Sequence, residues 1–490
     1  MTTNRTVLLW ASFLTLIAAG VGFAIRGGVL AEWGTEFGFT QTELGTITGG
    51  GLIGFGFVII FFSSFADQIG YKPLMILAFL LHVLSAIVTL AAGPVFESFG
   101  KDATYWTLYV GMFMFAVANG ICETVINPLV ATLYPTQKTH YLNILHAGWP
   151  GGLIVGGLLA FCFVGESPAI THLRWEIPMA FFLVPTLAYG FMFLKEAFPH
   201  SEAKAAGVSF GEMLQEFAAP LLLFLFVLHA MVGYVELGTD SWITNIMDNV
   251  FPNGILVLVY TSTLMFILRF FAGPIVERIN PIGLLFVSAV LACIGLYGLG
   301  SNWATTFAPV IVAATIYGVG KTFFWPTMLG VVGERFPKGG ALTMGFMGGI
   351  GMLSAGFLGG PGIGYQQDRF AAEELRATAP PEVYESFLSA DKNRFLFFEP
   401  VAGLNAAKLG EIKELPADEL TEDQKLVLAA STFGGRKALR YTAVVPFMMA
   451  IGYLILVIYF RAKGGYKVEV LHGKEPDGER YTGGVEGPVE

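Results

Sequence analysis

Apolar residues in this chain come in long blocks, with the polar residues gathered into the joints between them. Crossing a hydrocarbon layer of ~30 Å takes about 20 helical residues. Twelve blocks are long enough: roughly 7–33, 42–65, 74–94, 105–133, 141–165, 176–196, 216–240, 253–273, 281–300, 305–334, 339–365 and 441–462. The polar stretch 196–215 divides them six and six. The pattern predicts an all-α membrane protein of twelve transmembrane helices in two six-helix halves. Residues 1–195 form the first half, 196–215 a linker, and 216–365 helices seven to eleven. Residues 366–440 are an insertion, 441–463 helix twelve and 464–490 a tail. The insertion has helix-like pieces such as Asp418–Ala430 and an apolar cluster, Phe395, Leu396, Phe397 and Phe398, which predict a small ordered cap on the bundle. The Gly- and charge-rich tail after Lys467 predicts disorder.

Composition supports this reading. Only 13% of residues are charged, against about 25% in a soluble protein. Sixty-one glycines suit membrane helices, where small residues let backbones approach. Cys122, Cys162 and Cys293 all lie in apolar blocks, so neither a disulfide framework nor a metal site is expected. No cofactor is expected either. A net charge of −9 argues against a nucleic-acid partner. No nucleophile–base constellation is visible, so an enzyme is not expected. Arg5 and the apolar sequence after it read as a first span rather than a removed signal peptide.

Orientation follows from Lys and Arg in the short loops. Arg5, Lys72, Lys138, Lys195, Lys204, Arg278, Arg335, Lys338 and the tail from Arg461 fall on one side, and little beyond Lys101 and Arg174 on the other. Both termini are therefore expected in the cytoplasm, with 366–440 outside, in a plasma membrane of the bacterial inner-membrane type.

Two blocks carry a charge at their middle. The fourth contains Asn119-Gly120-Ile121-Cys122-Glu123-Thr124-Val125-Ile126-Asn127-Pro128, and the tenth Tyr317-Gly318-Val319-Gly320-Lys321-Thr322-Phe323-Phe324-Trp325-Pro326-Thr327. Setting Pro128 on Pro326 puts Glu123 on Lys321. Ionisable groups at that depth face the bundle interior or a wet cavity and mark substrate or proton paths. Glu123 and Lys321 are expected to meet there. A cation in reach favours the ionised carboxylate, so Glu123 reads as a proton carrier or as one side of an ion pair with Lys321 or Arg26.

A second repeat lies in the joints. Ser63-Ser64-Phe65-Ala66-Asp67-Gln68-Ile69-Gly70-Tyr71-Lys72-Pro73 follows span two, and Gly273-Pro274-Ile275-Val276-Glu277-Arg278-Ile279-Asn280-Pro281-Ile282-Gly283 follows span eight. Each puts an acid and a turn residue at a helix junction. An acid there can pair with a neighbouring helix terminus and latch one side of the molecule, which makes Asp67, Gly70, Lys72, Glu277 and Arg278 gating candidates. These stretches resemble the signature loop of the major facilitator superfamily, with Ser63 and Gln68 departing in the first copy and Glu277 in the second.

Further stretches narrow the resemblance. Glu123-Thr124-Val125-Ile126-Asn127-Pro128, Leu142-Asn143-Ile144-Leu145-His146-Ala147, Gly233-Tyr234-Val235-Glu236 with Trp242, and Phe324-Trp325-Pro326-Thr327 look like the fucose–galactose–glucose permease branch. The resemblance implies the major facilitator fold and a sugar:proton symporter. It further implies that Glu123 takes and releases the proton and that Asn127 lines the sugar site. The region matching helix one carries Arg26 and no acid.

Read for their own chemistry, His146, Glu236, Trp242 and Trp325 offer hydrogen bonds and aromatic faces to a sugar, with Asn127 and Asn143 beside them. Arg26 and Lys321 offer a clamp for an anion. Pro128, Pro150 and Pro326 can free backbone groups for a ligand. His82 and His229 read as packing residues. The expectation is a monomeric secondary transporter in the lipid bilayer that moves a sugar or related polyol by alternating access, with proton symport. Alternatives are an uncoupled sugar facilitator, a sugar-acid transporter using Arg26 and Lys321, and a non-transporting membrane receptor.

Overall fold

A computed structural model describes residues 3–39, 41–164, 168–250, 254–304, 306–416, 418–471, 473–474 and 480–481. Each predicted span finds its helix. The first half holds α1 (Arg5–Gly28), α2 (Gln41–Ser63), α3 (Tyr71–Leu90), α4 (Ala92–Leu133), α5 (Lys138–Phe163) and α6 (Glu176–Lys195). The second holds α7 (Pro220–Asp248), α8 (Ile255–Arg269), α9 (Ala272–Leu299), α10 (Phe307–Arg335), α11 (Pro337–Thr378) and α12 (Glu422–Ala462). Ten are long and apolar enough to cross a membrane, while α8 and the apolar part of α2, Ile53–Ser63, are shorter. The chain is thus a multi-pass membrane protein of two pseudo-symmetric halves.

Glycine stripes set how closely the helices pack. A Cβ on Gly152 of α5 would stand 2.3 Å from the Ile17 carbonyl oxygen, so only glycine lets α5 lie on α1. Gly148 and Gly156 repeat the contact, while Gly151 faces Phe266 of α8. In the second half Gly233 of α7 meets Gly351 of α11, and Gly345, Gly349 and Gly356 turn the other face of α11 toward α2. Each half therefore has one glycine-lined helix that grips a helix of its own half on one face and the opposite half on the other. Small residues at such faces let membrane helices approach backbone to backbone.

The joint repeat is visible in the backbone. Gly70 (φ 93, ψ 152) and Asn280 (φ 54, ψ 167) adopt the same left-handed turn, three residues after Asp67 and Glu277 respectively. Gly70 suits that φ because it has no Cβ. Asn280 is held there by its own Oδ1, which accepts the Gly283 amide at 3.0 Å.

The insertion departs from the predicted limits. The second helical part of α11 runs on to Thr378, and α12 starts at Glu422, well before residue 441. The two extensions pack side by side, with Gly434 against Ala371. Between them lie a short helix Pro381–Phe387, an antiparallel hairpin of β1 (Leu388–Asn393) and β2 (Val401–Leu404), and a helix Ala406–Glu414. Leu375, Ile412, Val427 and Ala430 give this cap its own apolar core. Of the predicted aromatic patch, Phe395 and Phe398 pack on the Tyr365 ring at 6.0 and 5.8 Å, whereas Leu396 and Phe397 are exposed. The tail is also ordered further than expected: Leu471 N bonds Glu202 Oε1 at 2.9 Å. The rest of the tail prediction falls largely outside the described residues.

Candidate functional site

The centre of the molecule is built around two prolines and one arginine. A proline has no N–H to give the carbonyl four residues before it. Pro150 therefore frees the His146 carbonyl in α5, and Pro326 frees that of Thr322 in α10, where the helix opens at Thr322 and Phe323. Arg269, the last residue of α8, satisfies both. Its Nε donates to Thr322 O at 2.7 Å and its Nη1 to His146 O at 2.6 Å. Its Nη2 donates to Glu236 Oε1 at 3.1 Å. One planar guanidinium thus links a carboxylate of α7, the broken α10 and a helix of the opposite half.

Glu236 owes its position to a wide turn. Residues Tyr234–Gly238 of α7 and Ala355–Gly359 of α11 each form one π-turn, and the two meet through Gly238 and Gly359. Such turns in membrane helices recur at functional sites. Tyr317 Oη donates to the Val235 carbonyl in the widened turn at 2.9 Å.

The first half contributes a chain of hydrogen bonds. Asn127 Nδ2 donates to Glu123 Oε2 at 2.6 Å, and His146 Nε2 stands 2.8 Å from Asn127 Oδ1. All three are buried. Asn143 donates to the Thr139 carbonyl at 2.8 Å and to Thr327 Oγ1 across the halves at 3.2 Å. The expected meeting of Glu123 with Lys321 does not occur. Lys321, fully buried, pairs with Asp240 of α7 in its own half. Both residues face inward, as their depth requires, but each half satisfies its charge from within.

Arg26 is neither a partner of Glu123 nor of Glu32. Its guanidinium lies 3.9 Å over the Phe115 ring, and Nη1 donates to the Gly22 carbonyl at 3.2 Å. Glu32 Oε1 is instead 3.0 Å from His172. The anion clamp of Arg26 with Lys321 is therefore not assembled. Trp325 is buried and faces His229, ring centroids 4.6 Å apart. Trp242 spends its indole N–H on the Gly360 carbonyl at 2.8 Å, joining α7 to α11.

Several buried polar atoms have no partner among the described residues, including Asn143 Oδ1, both ring nitrogens of His229, Glu236 Oε2, Ser262 Oγ, and Nε and Nη2 of Arg26. Buried groups left without hydrogen bonds are costly, about 1–3 kcal/mol each, and call for an explanation such as a ligand. His229, expected as a packing residue, is fully buried against the Trp325 ring, with neither ring nitrogen bonded among the described residues. His82 is fully bonded, to Tyr189 Oη at 2.7 Å and Asn119 Oδ1 at 3.0 Å, as a core histidine.

At the end of the bundle that carries the linker, the halves are tied by Glu334. Its Oε1 accepts Thr139 N and Thr139 Oγ1 at 3.0 and 2.6 Å, capping the start of α5. Its Oε2 accepts Tyr466 Oη at 2.7 Å. Lys138 reaches Glu202 of the linker at 2.6 Å and the Gly333 carbonyl at 2.9 Å. Of the expected gating residues, Asp67 sits beside Gly340 at the start of the helix Gly340–Ser354 and accepts Tyr71 Oη at 3.1 Å. Lys72 binds the carbonyls of Leu194 and Glu196 at 3.1 and 2.8 Å. Glu277 is exposed and lines a cavity of about 370 Å³ with His140 and Glu334. Arg278 is exposed and makes no ion pair among the described residues. The helix-terminus role expected of Glu277 is filled by Glu334.

Comparison with known proteins bears on the family and the fold. The family model described as Major Facilitator Superfamily matches residues 12–360. No curated protein matches the chain. Among solved structures, a bacterial homologue of the human lysosomal transporter Spinster, inward-facing and unoccupied, is 16% identical, with a TM-score of 0.66 over 94% of this chain and 98% of its own. The transporter FucP in its outward conformation is 18% identical, TM-score 0.59, over 74% and 92%. The proton:xylose symporter XylE bound to 6-bromo-6-deoxy-D-glucose is 14% identical, TM-score 0.57, over 72% and 87%.

Proposed function

The chain belongs to the Major Facilitator Superfamily, and from that premise we propose that it moves a neutral sugar or related polyol across the membrane together with a proton. The observation that carries this reading is the contrast between two buried charge systems. Lys321 and Arg269 are each paired with an acid of the second half, Asp240 and Glu236. Among the described residues, Glu123 has only the Asn127 amide as a side-chain hydrogen-bond partner. It can take up and release a proton without breaking an ion pair, and Asn127 and His146 continue the path toward the centre.

The remaining capacity of the site is for hydrogen bonds. The two pairs cancel in charge, and the unpartnered atoms of Asn143, His229, Glu236 and Ser262 suit hydroxyl groups. Trp325 supplies an aromatic face for ring C–H groups. A sugar-acid substrate would need a cation to spare: Lys321 is paired with Asp240, whereas Arg26, whose Nε and Nη2 have no hydrogen-bond partner among the described residues, lies over the Phe115 ring and keeps that reading as the second choice. FucP and XylE, whose fold this chain shares at low identity, are sugar transporters by their descriptions, which favours the same substrate class. Alternating access then means that the halves rock about the centre, parting Arg269 from His146 and Asn143 from Thr327. We place both termini and the linker in the cytoplasm, from the Lys and Arg of the short loops, and the cap outside.

Counterflow in proteoliposomes at two pH values, with hexoses, polyols and hexuronates, tests the reading. Hexose or polyol exchange, with accumulation that follows an imposed pH gradient, is the expected result. Transport of hexuronates alone would overturn the substrate class, and accumulation indifferent to the pH gradient would overturn the coupling.

A further inference from the structure

A cavity of about 720 Å³ opens on the flank of the second half, between α9 and α12 at the end nearest the cap. It is far from the site above in chemistry as well as place. Its lower wall is apolar, with Cys293, Val444 and Phe447, and Val444 and Phe447 are each about half exposed to the surroundings of the bundle. Its upper rim carries three cations of α12, Arg436, Lys437 and Arg440. They stand where the predicted span begins, so the rim lies at the level where hydrocarbon gives way to headgroups.

The cations are held but not neutralised. Arg436 bonds the Ser301 carbonyl at the end of α9, and its Nε is buried without a partner. Arg440 donates to Tyr297 Oη at 2.7 Å and lies 4.6 Å over that ring. The acid nearest the rim among the described ion pairs is Glu373, 4.0 Å from Lys437 and already bonded to Arg369 at 2.8 Å. Three positive charges thus face one shared carboxylate above an apolar trough open to the membrane.

We propose that this cavity is a binding site for an anionic phospholipid, its phosphate between Arg436 and Arg440 and its acyl chains along Val444 and Phe447. Basic pockets at the ends of membrane helices attract anionic headgroups, and the trough supplies what a soluble phosphate ester could not use. The bound lipid would join α9 to the extension of α12 and so tie the cap to the bundle.

Native mass spectrometry of the purified full chain tests this with phosphatidylglycerol, phosphatidylethanolamine and sn-glycerol 3-phosphate. Phosphatidylglycerol should be retained preferentially, and the Lys437→Gln/Arg440→Gln variant should lose about tenfold in its apparent affinity, with sugar counterflow intact. In the unmodified chain, phosphatidylglycerol should slow maleimide labelling of Cys293, read by peptide mass, whereas glycerol phosphate should not. Equal retention of the two lipids, undiminished binding by the variant, or displacement by glycerol phosphate would each overturn the proposal. Should the variant fail to fold, Cys293 protection decides alone.

Discussion

Helices α4 and α10 occupy equivalent places in the two halves, and each buries an ionisable side chain at the same register, yet they treat it in opposite ways. Lys321 is locked to Asp240, and beside it Arg269 is locked to Glu236. Glu123 meets an amide and, through it, an imidazole. Desolvating a charge costs several kcal/mol unless it is paired and hydrogen-bonded. The second half meets that cost with ion pairs and becomes a rigid, charge-balanced wall. The first half leaves its carboxylate without a cation among the described ion pairs, and in the function proposed here that is the group that takes the proton. Symmetry of the backbone has been used to hold two unlike electrostatic devices face to face.

The sharpest way to break this comparison is Glu123→Gln. The variant keeps an oxygen that accepts from Asn127 Nδ2 but removes the titratable carboxyl. Accumulation driven by a pH gradient should vanish, while sugar counterflow in proteoliposomes continues. Persistence of accumulation would move the proton to the second half and erase the distinction.

Next in size is Arg269→Gln. It strips two proline-freed carbonyls and leaves Glu236 unpaired in the interior, and breaking such a pair costs about 3–5 kcal/mol. The melting temperature in detergent should fall by many degrees and counterflow should be lost. Arg269→Gln/Glu236→Gln should recover part of the stability and none of the transport. Two equally stable variants would mean that Glu236 carries no charge to balance.

Asp240→Asn and Lys321→Met should each destabilise less, because the Asp240 side chain is 15% exposed and water can reach it. Their combination should be milder than their sum by about 0.5–3 kcal/mol, the coupling expected of residues in contact. Additive effects would show that the pair is incidental.

What could be read from the chain beforehand follows the range of the forces involved. Span lengths are written in the apolar blocks, because hydrocarbon thickness is a constraint on single helices. The turn repeat was legible for the same local reason: Asp67 to Gly70 and Glu277 to Asn280 each hold one φ that their own residues favour. Pro150 and Pro326 announced freed carbonyls, though a side chain rather than a ligand takes them. What answers those carbonyls was not legible, since Arg269 meets His146 and Thr322 across 123 and 53 residues. One signal was available. Extending the register that sets Asp67 on Glu277 puts the buried Ile59 opposite Arg269, and a charge replacing an aliphatic residue within a repeat needs a partner. Arg269 lies inside the predicted span 253–273, and nothing in the sequence beside it names that partner. Lys321 was matched to Glu123 by depth, but depth does not choose between an acid on the far half and Asp240 on the adjacent helix.

The smallest expected effect lies away from the centre and tests whether the halves differ as gates too. Glu334 and Asp67 both place a carboxyl at the start of a helix of the opposite half, but only Glu334 bonds it directly, through Thr139. Glu334→Gln keeps an oxygen for Thr139 and loses the charge, and the attraction of a carboxylate to a helix N-terminus is worth about 0.3–1 kcal/mol. Such a loss is too small to unfold the chain but large enough to shift a two-state equilibrium several-fold. Labelling of a cysteine introduced at Thr136, which lines the cavity beside Glu334, should therefore quicken in Glu334→Gln. Asp67→Asn should act more weakly, because Asp67 Oδ2 has no hydrogen bond to lose. An equal response from both would mean that the linker end is held by two like gates, and that the asymmetry of the molecule is confined to its centre.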